Sequence, residues 1–178
     1  MRLFVALDLP WDLKLRLASL AGGIPGARWV PSDNMHLTLR FIGEKDGYEA
    51  EEIDDALSRL RAPNFELSLA GLGVFSKAGR ATALWVGADR NPQLDHLQAK
   101  VETALQRIGI PAERKRFAPH VTLGRFDGVP EARVAAYLQA HNLFRASPVR
   151  VEHFTLFSSH LSKADPVYTP EVDYELVA

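Results

Sequence analysis

Short apolar runs alternate with amphipathic stretches along the whole chain, and the two patterns predict different elements. Runs rich in Val, Leu and Phe that end at Gly or Pro predict strands, whereas apolar residues spaced by three or four positions predict helices. In the first half of the chain the predicted order is strand, helix, strand, helix, strand. These elements are Leu3–Leu7, Trp11–Leu20, His36–Phe41, Tyr48–Leu60 and Phe65–Leu72.

The second half repeats this order. Its predicted elements are Thr82–Val86, Pro92–Ile108, His120–Leu123, Pro130–Ala140 and Val149–Phe157, followed by a last strand around Tyr168 and Val172–Leu176. The pattern His-x-Thr-Leu begins at His36 and again at His120. The next strand follows each histidine at the same interval, at Phe65 in the first half and at Val149 in the second. A match at equivalent positions of two similarly built halves indicates a duplicated unit.

The duplication predicts an α+β fold with pseudo-two-fold symmetry. We expect two lobes, each a β-α-β-α-β unit, with mostly antiparallel sheets that line a central cleft and with helices on the outside. The lobes would cover approximately residues 1–76 and 77–178 of a single domain, with terminal strands free to exchange between them. A chain of 178 residues is long enough to bury one self-sufficient core.

The polar residues of the two motifs fall on one face of each predicted strand. Alternation places His36 and Thr38 together, and His120 and Thr122 together, while the residues between them face the core. An imidazole and a hydroxyl two positions apart are separated by about 6.6 Å of backbone, so both can touch one phosphate-sized group. Two imidazoles can act as general base and general acid in an in-line displacement at phosphorus.

We therefore predict His36 and His120 as the catalytic pair, with Thr38 and Thr122 as phosphate-binding residues. No metal ion or cofactor is expected. Metal ligation by the two histidines is disfavoured because neither motif contains a carboxylate or a further histidine.

Two arginines near the motifs differ in how alternation places them. Arg40 is in register with His36 on the first strand, so it is a candidate for a nucleic-acid contact. Arg125 lies three positions after Thr122, and strict alternation turns it to the core face. Only a β-bulge or a strand end would bring Arg125 to the site, and Gly124 is a natural place for one.

Further candidates for nucleic-acid contacts flank the motifs. The only dense basic cluster lies just before the second motif and consists of Arg114, Lys115 and Arg116. Phe41 and Trp29 are candidates for stacking on a base, although core packing is the favoured role for Phe41.

Charge and cysteine content narrow the function classes. The chain has 21 Lys and Arg against 22 Asp and Glu, a formal net charge of −1, which argues against a broad cationic surface and for a local nucleic-acid contact. The absence of cysteine excludes disulfides and thiolate nucleophiles. The apolar run from Leu3 to Leu7 is too short for a signal peptide, and no window approaches the ~20 apolar residues of a membrane span. We expect a cytoplasmic protein with no membrane partner.

The motifs and their surroundings resemble the 2H phosphoesterases, and within them the RNA 2′,3′-cyclic phosphodiesterases first described as 2′-5′ RNA ligases, the LigT or ThpR group. The resemblance covers nearly the whole chain. It rests on residues 2–7, Trp29-Val30, residues 34–43 around the first motif, residues 117–125 around the second, and Tyr168-Thr169-Pro170.

This resemblance implies a hydrolase that needs neither ATP nor a metal ion and that opens a terminal 2′,3′-cyclic phosphate on RNA to leave a 2′-phosphate. It also implies a weak, reversible activity that joins tRNA half-molecules through a 2′-5′ linkage. In the family the two histidines are the acid and the base, the two threonines bind phosphate oxygens, and an arginine after the second motif, here Arg125, contacts the substrate.

For a 2′-phosphate product the 3′ oxygen must leave. We expect His120 to activate water and His36 to protonate this oxygen. The expected partner is an RNA 3′ end with a 2′,3′-cyclic phosphate, such as a tRNA half, and the expected oligomeric state is a monomer.

Two alternatives remain open. One is another 2H activity, such as a phosphodiesterase for 2′-5′ oligonucleotides or for small cyclic nucleotides. The other is a non-catalytic module that binds RNA ends. The intact threonine beside each histidine disfavours the module, because binding alone does not need a matched acid and base.

Overall fold

The strands and helices follow the apolar patterns of the chain. The computed structural model describes residues 1–178. Its first half contains β1 (Arg2–Asp8), α1 (Trp11–Ala18), β2 (Arg28–Trp29), β3 (His36–Glu44), α2 (Gly47–Ser58), β4 (Phe65–Leu67) and β5 (Leu69–Lys77). The second half contains β6 (Arg80–Ala88), α3 (Pro92–Arg107), β7 (His120–Pro130), α4 (Glu131–His141), β8 (Val149–Val151), β9 (His153–His160) and β10 (Val167–Glu175).

Two four-stranded sheets and one two-stranded sheet form the β-structure. The strand orders are β10-β9-β1-β3, β2-β7-β6-β5 and β4-β8. All strand pairs within these sheets are antiparallel, which confirms the expected α+β fold with antiparallel sheets. The boundary proposed between residues 76 and 77 falls near the hairpin that joins β5 to β6, and each four-stranded sheet combines strands from both sides of it.

Two of the predicted strands are wrong as single elements. The stretch Phe65–Leu72 is divided at Ser68 into β4 and β5, and the stretch Val149–Phe157 is divided at Glu152 into β8 and β9. At each break the chain changes partners. β4 and β8 pair with one another, whereas β5 pairs with β6 and β9 pairs with β1. Ser68 and Glu152 occupy equivalent positions of the two halves, so the duplication includes the change of partner.

The helices cover the core with one apolar face each. In α3, Pro92 stands in the first turn, and Asn91 Oδ1 accepts a hydrogen bond from the Leu94 N–H at 3.1 Å, which satisfies one free donor of the helix start. The buried face of this helix consists of Leu94, Leu97, Val101 and Leu105. No helix of the chain has both the length and the apolar character that a membrane crossing requires.

The main core holds 35 buried residues, among them the predicted core-facing residues of both motifs, Leu37, Leu39, Val121 and Leu123. A second, smaller cluster on the other face of the first sheet joins Phe4, Ala6 and Phe157, with Tyr168 packed against it. β1 is therefore buried on both faces, which explains its continuous apolar sequence.

Candidate active site

A β-bulge shapes the second motif strand. Thr122 is opposite Trp85 and Gly124 is opposite Leu84, so Leu123 is the extra residue of β7. Leu123 and Gly124 are consecutive buried residues, after which Arg125 is exposed and lines the same cavity as Thr122. The bulge predicted at Gly124 is confirmed. Glycine is favoured there because a Cβ would lie only 3.1 Å from the ring of Trp29.

The first motif strand has the same bulge, with different consequences. Thr38 is opposite Ala6 and Arg40 is opposite Val5, so Leu39 is the extra residue of β3. The bulge turns Arg40 away from the face of His36 and Thr38, and only 7% of its surface is exposed. The expectation that Arg40 shares a face with His36 is wrong for this reason.

Phe41 takes the cleft-facing position that the bulge opens on β3. It is 65% exposed and lines the cavity, so the expected core packing of Phe41 is wrong as well. Its counterpart at the equivalent position of β7 is Arg125.

Both motifs line one cavity of about 930 Å³. β3 and β7 lie near one another across it, although they belong to different sheets. Of the residues singled out from the sequence, those that border this cavity are His36, Thr38, Arg40, Phe41, Lys115, Arg116, His120, Thr122, Arg125 and Trp29. Arg114 is exposed but does not line the cavity.

The cavity lining includes residues that were not anticipated as parts of the site, among them three with aromatic or cationic side chains. Arg28 lies beside Trp29 on β2, Phe75 comes from β5, and Tyr168 lies near the start of β10. Arg28 is next to Trp29, which the sequence indicates as a candidate for stacking on a base. Tyr168 belongs to a segment that supports the family resemblance. Phe75 has no such signal, because only the pairing of β5 with β6 brings it to the second motif.

Aromatic rings enclose His36. Phe4 and Phe157 stack with its imidazole at centroid distances of 4.9 and 5.8 Å, and Tyr168 makes a T-shaped contact at 5.0 Å. This burial lowers the pKa of His36 to about 4. The Asp8 carboxylate opposes that shift, but Asp8 is paired with Lys14 at 2.8 Å, and the charge of Lys14 lowers the pKa further.

His120 has different surroundings. Its ring makes a T-shaped contact with Phe75 at a centroid distance of 4.9 Å, and Trp85 lies at 6.3 Å. Its Nδ1 is 2.7 Å from the carbonyl oxygen of Ala118. Because a carbonyl only accepts, Nδ1 carries the proton, and Nε2 is the ring nitrogen available to a substrate.

The Arg40 guanidinium is occupied within the protein. Its Nε donates to Glu102 Oε2 at 2.6 Å, Nη1 donates to the Phe41 carbonyl at 2.6 Å, and Nη2 donates to the Pro111 carbonyl. Although Arg40 borders the cavity, its donors are directed to protein acceptors. These donors are therefore not available to an RNA substrate, so the expected RNA contact by Arg40 is wrong.

Comparison with known proteins gives relatives along nearly the whole chain. The family model described as the 2′-5′ RNA ligase superfamily matches residues 16–163. The chain is 31% identical over 174 residues to the RNA 2′,3′-cyclic phosphodiesterase of Thermotoga maritima, covering 94% of this chain and 91% of the relative. It is 34% identical over 180 residues to the protein of the same name from Thermus thermophilus, covering 95% of this chain and 87% of the relative.

Solved structures agree with these relatives. The crystal structure of E. coli LigT complexed with 3′-AMP has a TM-score of 0.81 and 26% sequence identity, covering 99% of this chain and 98% of that one. The crystal structure of a Thermus thermophilus protein has a TM-score of 0.82, also at 26% identity, covering 98% of this chain and 97% of that one. Since sequence and fold match over nearly the same length, the chain belongs to the 2′-5′ RNA ligase superfamily.

Proposed function

We propose that this protein is an RNA 2′,3′-cyclic phosphodiesterase that opens a terminal cyclic phosphate to a 2′-phosphomonoester. The observation that carries the proposal is the meeting of His36 and His120 in one cavity, each with a threonine two positions further along its strand. The relatives named RNA 2′,3′-cyclic phosphodiesterase support the choice of substrate.

The chemistry is an in-line displacement at phosphorus. One histidine takes a proton from the attacking water, and the other gives a proton to the 3′ oxygen, which leaves from the opposite side. Thr38 and Thr122 donate hydrogen bonds to the non-bridging oxygens. Arg125 adds a positive charge where negative charge develops on the phosphoryl group. The P–O3′ bond breaks and a new P–O bond to water forms, so the phosphate stays on the 2′ oxygen.

The unequal surroundings of the histidines favour one assignment of roles. Burial lowers the pKa of His36 to about 4, so in the free protein this imidazole is neutral at pH 7, which is the protonation state that a general base requires. We assign His36 as the base and His120 as the acid, which reverses the expectation drawn from the sequence.

The pH dependence of kcat/KM tests this assignment, because it reports the free enzyme. With His36 as the base, the acidic limb of the profile lies near pH 4. An acidic limb near the ordinary histidine pKa of about 6.5 would contradict it.

The same site supports ligation as the alternative use of the cyclic phosphate. If the 5′-hydroxyl of a second RNA fragment replaces water, the 3′ oxygen leaves and a 2′-5′ phosphodiester forms without ATP. Two tRNA halves would be suitable substrates. All residues of the cavity come from a single chain, so a monomer is sufficient for this activity. An RNA substrate of this kind supports a cytoplasmic location.

The experiment that tests the proposed function uses a short RNA with a 2′,3′-cyclic phosphate, incubated in EDTA without ATP, followed by mapping of the phosphate. The expected product carries a 2′-phosphate, and a His36→Ala, His120→Ala double variant is the inactive control. Activity that EDTA abolishes and zinc or manganese restores would contradict the mechanism. Tight binding with no product over hours would favour the non-catalytic module instead.

A further inference from the structure

Arg40 and Glu102 form a largely buried ion pair between β3 and α3, with side chains that are 6% and 17% exposed. The pair is bidentate, because Arg40 Nη2 also lies 3.3 Å from Glu102 Oε1. On β7 the equivalent of Arg40 is Gly124, so the second half of the molecule has no such pair.

The pair holds the beginning of the basic loop, which we define as residues 111–117. Arg40 Nη2 donates to the Pro111 carbonyl, and the Glu113 N–H donates to Glu102 Oε1 at 2.9 Å. The Lys115 N–H then donates to Glu113 Oε1 at 3.1 Å. The loop contains no helix or strand, so its conformation depends on these hydrogen bonds.

The charge that this loop carries lies at the mouth of the site. Lys115 and Arg116 line the cavity together with Arg125 and Arg28. Arg28 is partly neutralised by Asp127 at 2.7 Å. An RNA whose terminal phosphate lies between the histidines continues through further phosphates, and a cationic loop at the rim is suited to bind them. Binding is stronger when the loop is already ordered.

We propose that the basic loop binds the phosphates upstream of the terminal nucleotide and that Arg40 is its positioning residue, acting through Glu102. The inference rests on the proposed function and adds a substrate class to it. The enzyme prefers an oligoribonucleotide end over a cyclic mononucleotide, and this preference depends on a side chain that does not itself touch the RNA.

Arg40→Lys is the informative variant. It keeps a positive charge beside Glu102, whereas a neutral residue would leave a buried carboxylate unpaired and risk unfolding the domain. Lysine has no planar fork, so it cannot hold Glu102, Phe41 and Pro111 at the same time. Thermal unfolding of the variant would establish that it is folded under the assay conditions.

The experiment compares a 2′,3′-cyclic mononucleotide with an octaribonucleotide that ends in the same cyclic phosphate. For Arg40→Lys we expect kcat/KM on the octaribonucleotide to fall about 10-fold through KM, with a shallower dependence on salt. On the mononucleotide kcat/KM should change by less than about two-fold, because only the oligonucleotide reaches the loop.

A double-mutant cycle separates this role from a general structural one. In a Lys115→Ala, Arg116→Ala background, Arg40→Lys should cause no further loss on the octaribonucleotide. Additive losses, or equal losses on both substrates, would overturn the inference while leaving the proposed function intact. A wild-type protein that hydrolyses neither substrate would overturn the proposed function itself, and the inference with it.

Discussion

The two motif strands have a β-bulge at the same position and different side chains after it. Leu39 on β3 and Leu123 on β7 are both the extra residue of an antiparallel pair. The next two positions are Arg40 and Phe41 on one strand, and glycine and arginine on the other. Duplication has thus kept the geometry that presents a histidine and a threonine. The residues that follow have diverged, so one strand carries a cation into the cleft and the other carries an aromatic ring.

The histidines differ in the same way. His36 is stacked against aromatic rings in a buried environment, whereas His120 makes a T-shaped contact with Phe75 and keeps its ring orientation through Ala118. An acid and a base at one pH need different environments, and a symmetric pair would not provide them. The comparison indicates that the duplicated strands supply two equivalent histidines, while the residues packed around each histidine make them chemically different.

The largest expected effect comes from removing either histidine, which tests whether the two halves are equally necessary. We expect His36→Ala and His120→Ala each to lower kcat by about 10²- to 10⁴-fold, the usual contribution of general acid or base catalysis. Single-turnover hydrolysis of an RNA 2′,3′-cyclic phosphate measures this, with the exposed His96→Ala as control. If either variant kept near-normal turnover, the two-histidine mechanism would be wrong.

Arg125 provides the next test, because it is the cation that β7 alone adds to the two phosphate-binding threonines. Arg125→Met should lower kcat/KM by about 10²-fold, since a charge-assisted hydrogen bond to the phosphoryl group is lost. The loss should be similar for purine and pyrimidine cyclic nucleotides. A loss that depends on the base would instead place Arg125 against the nucleobase.

The unequal histidines also predict how stability depends on pH. Because the pKa of His36 is lowered to about 4 in the folded protein, the unfolded chain binds a proton first as the pH falls below about 6.5. The free energy of unfolding therefore decreases between about pH 6.5 and pH 4, by about 2 kcal/mol after allowance for partial exposure. Denaturant unfolding at pH 7 and near pH 4.5 measures it.

Replacing the imidazole by a ring that does not titrate isolates this effect. His36→Phe should reduce the acid sensitivity by that amount, whereas the exposed His96→Gln should leave it unchanged. An unaltered slope in His36→Phe would mean that other groups cause the loss.

The smallest expected effect is at Phe41, the counterpart of Arg125. A ring that is 65% exposed in the cleft can stack on a nucleobase, so Phe41→Leu should raise KM about five-fold with little change in kcat. Phe41→Tyr keeps the ring and should behave like the wild type. Equal KM values for Phe41→Leu and the wild type would mean that Phe41 does not stack on the nucleobase and that the site recognises the phosphate alone.

Much of the site follows from the sequence because it depends on local periodicity. The repeat of His-x-Thr-Leu in the two halves, the core face of the leucines, and the need for a bulge before Arg125 all come from patterns along single strands. The position of the Arg40 side chain does not follow from such a pattern. A bulge reverses alternation, and its place on β3 depends on pairing with β1, which the residues of β3 alone do not reveal.

The sequence by itself therefore determined the duplicated α+β plan, the strands that present the histidines and threonines, and the family resemblance. Only the tertiary structure decided that the chain changes partners at Ser68 and Glu152, that Phe41 rather than Arg40 faces the cleft, and that aromatic rings from three distant segments enclose His36. Strand pairing and burial are set by residues far apart in the chain, so no local pattern contains them.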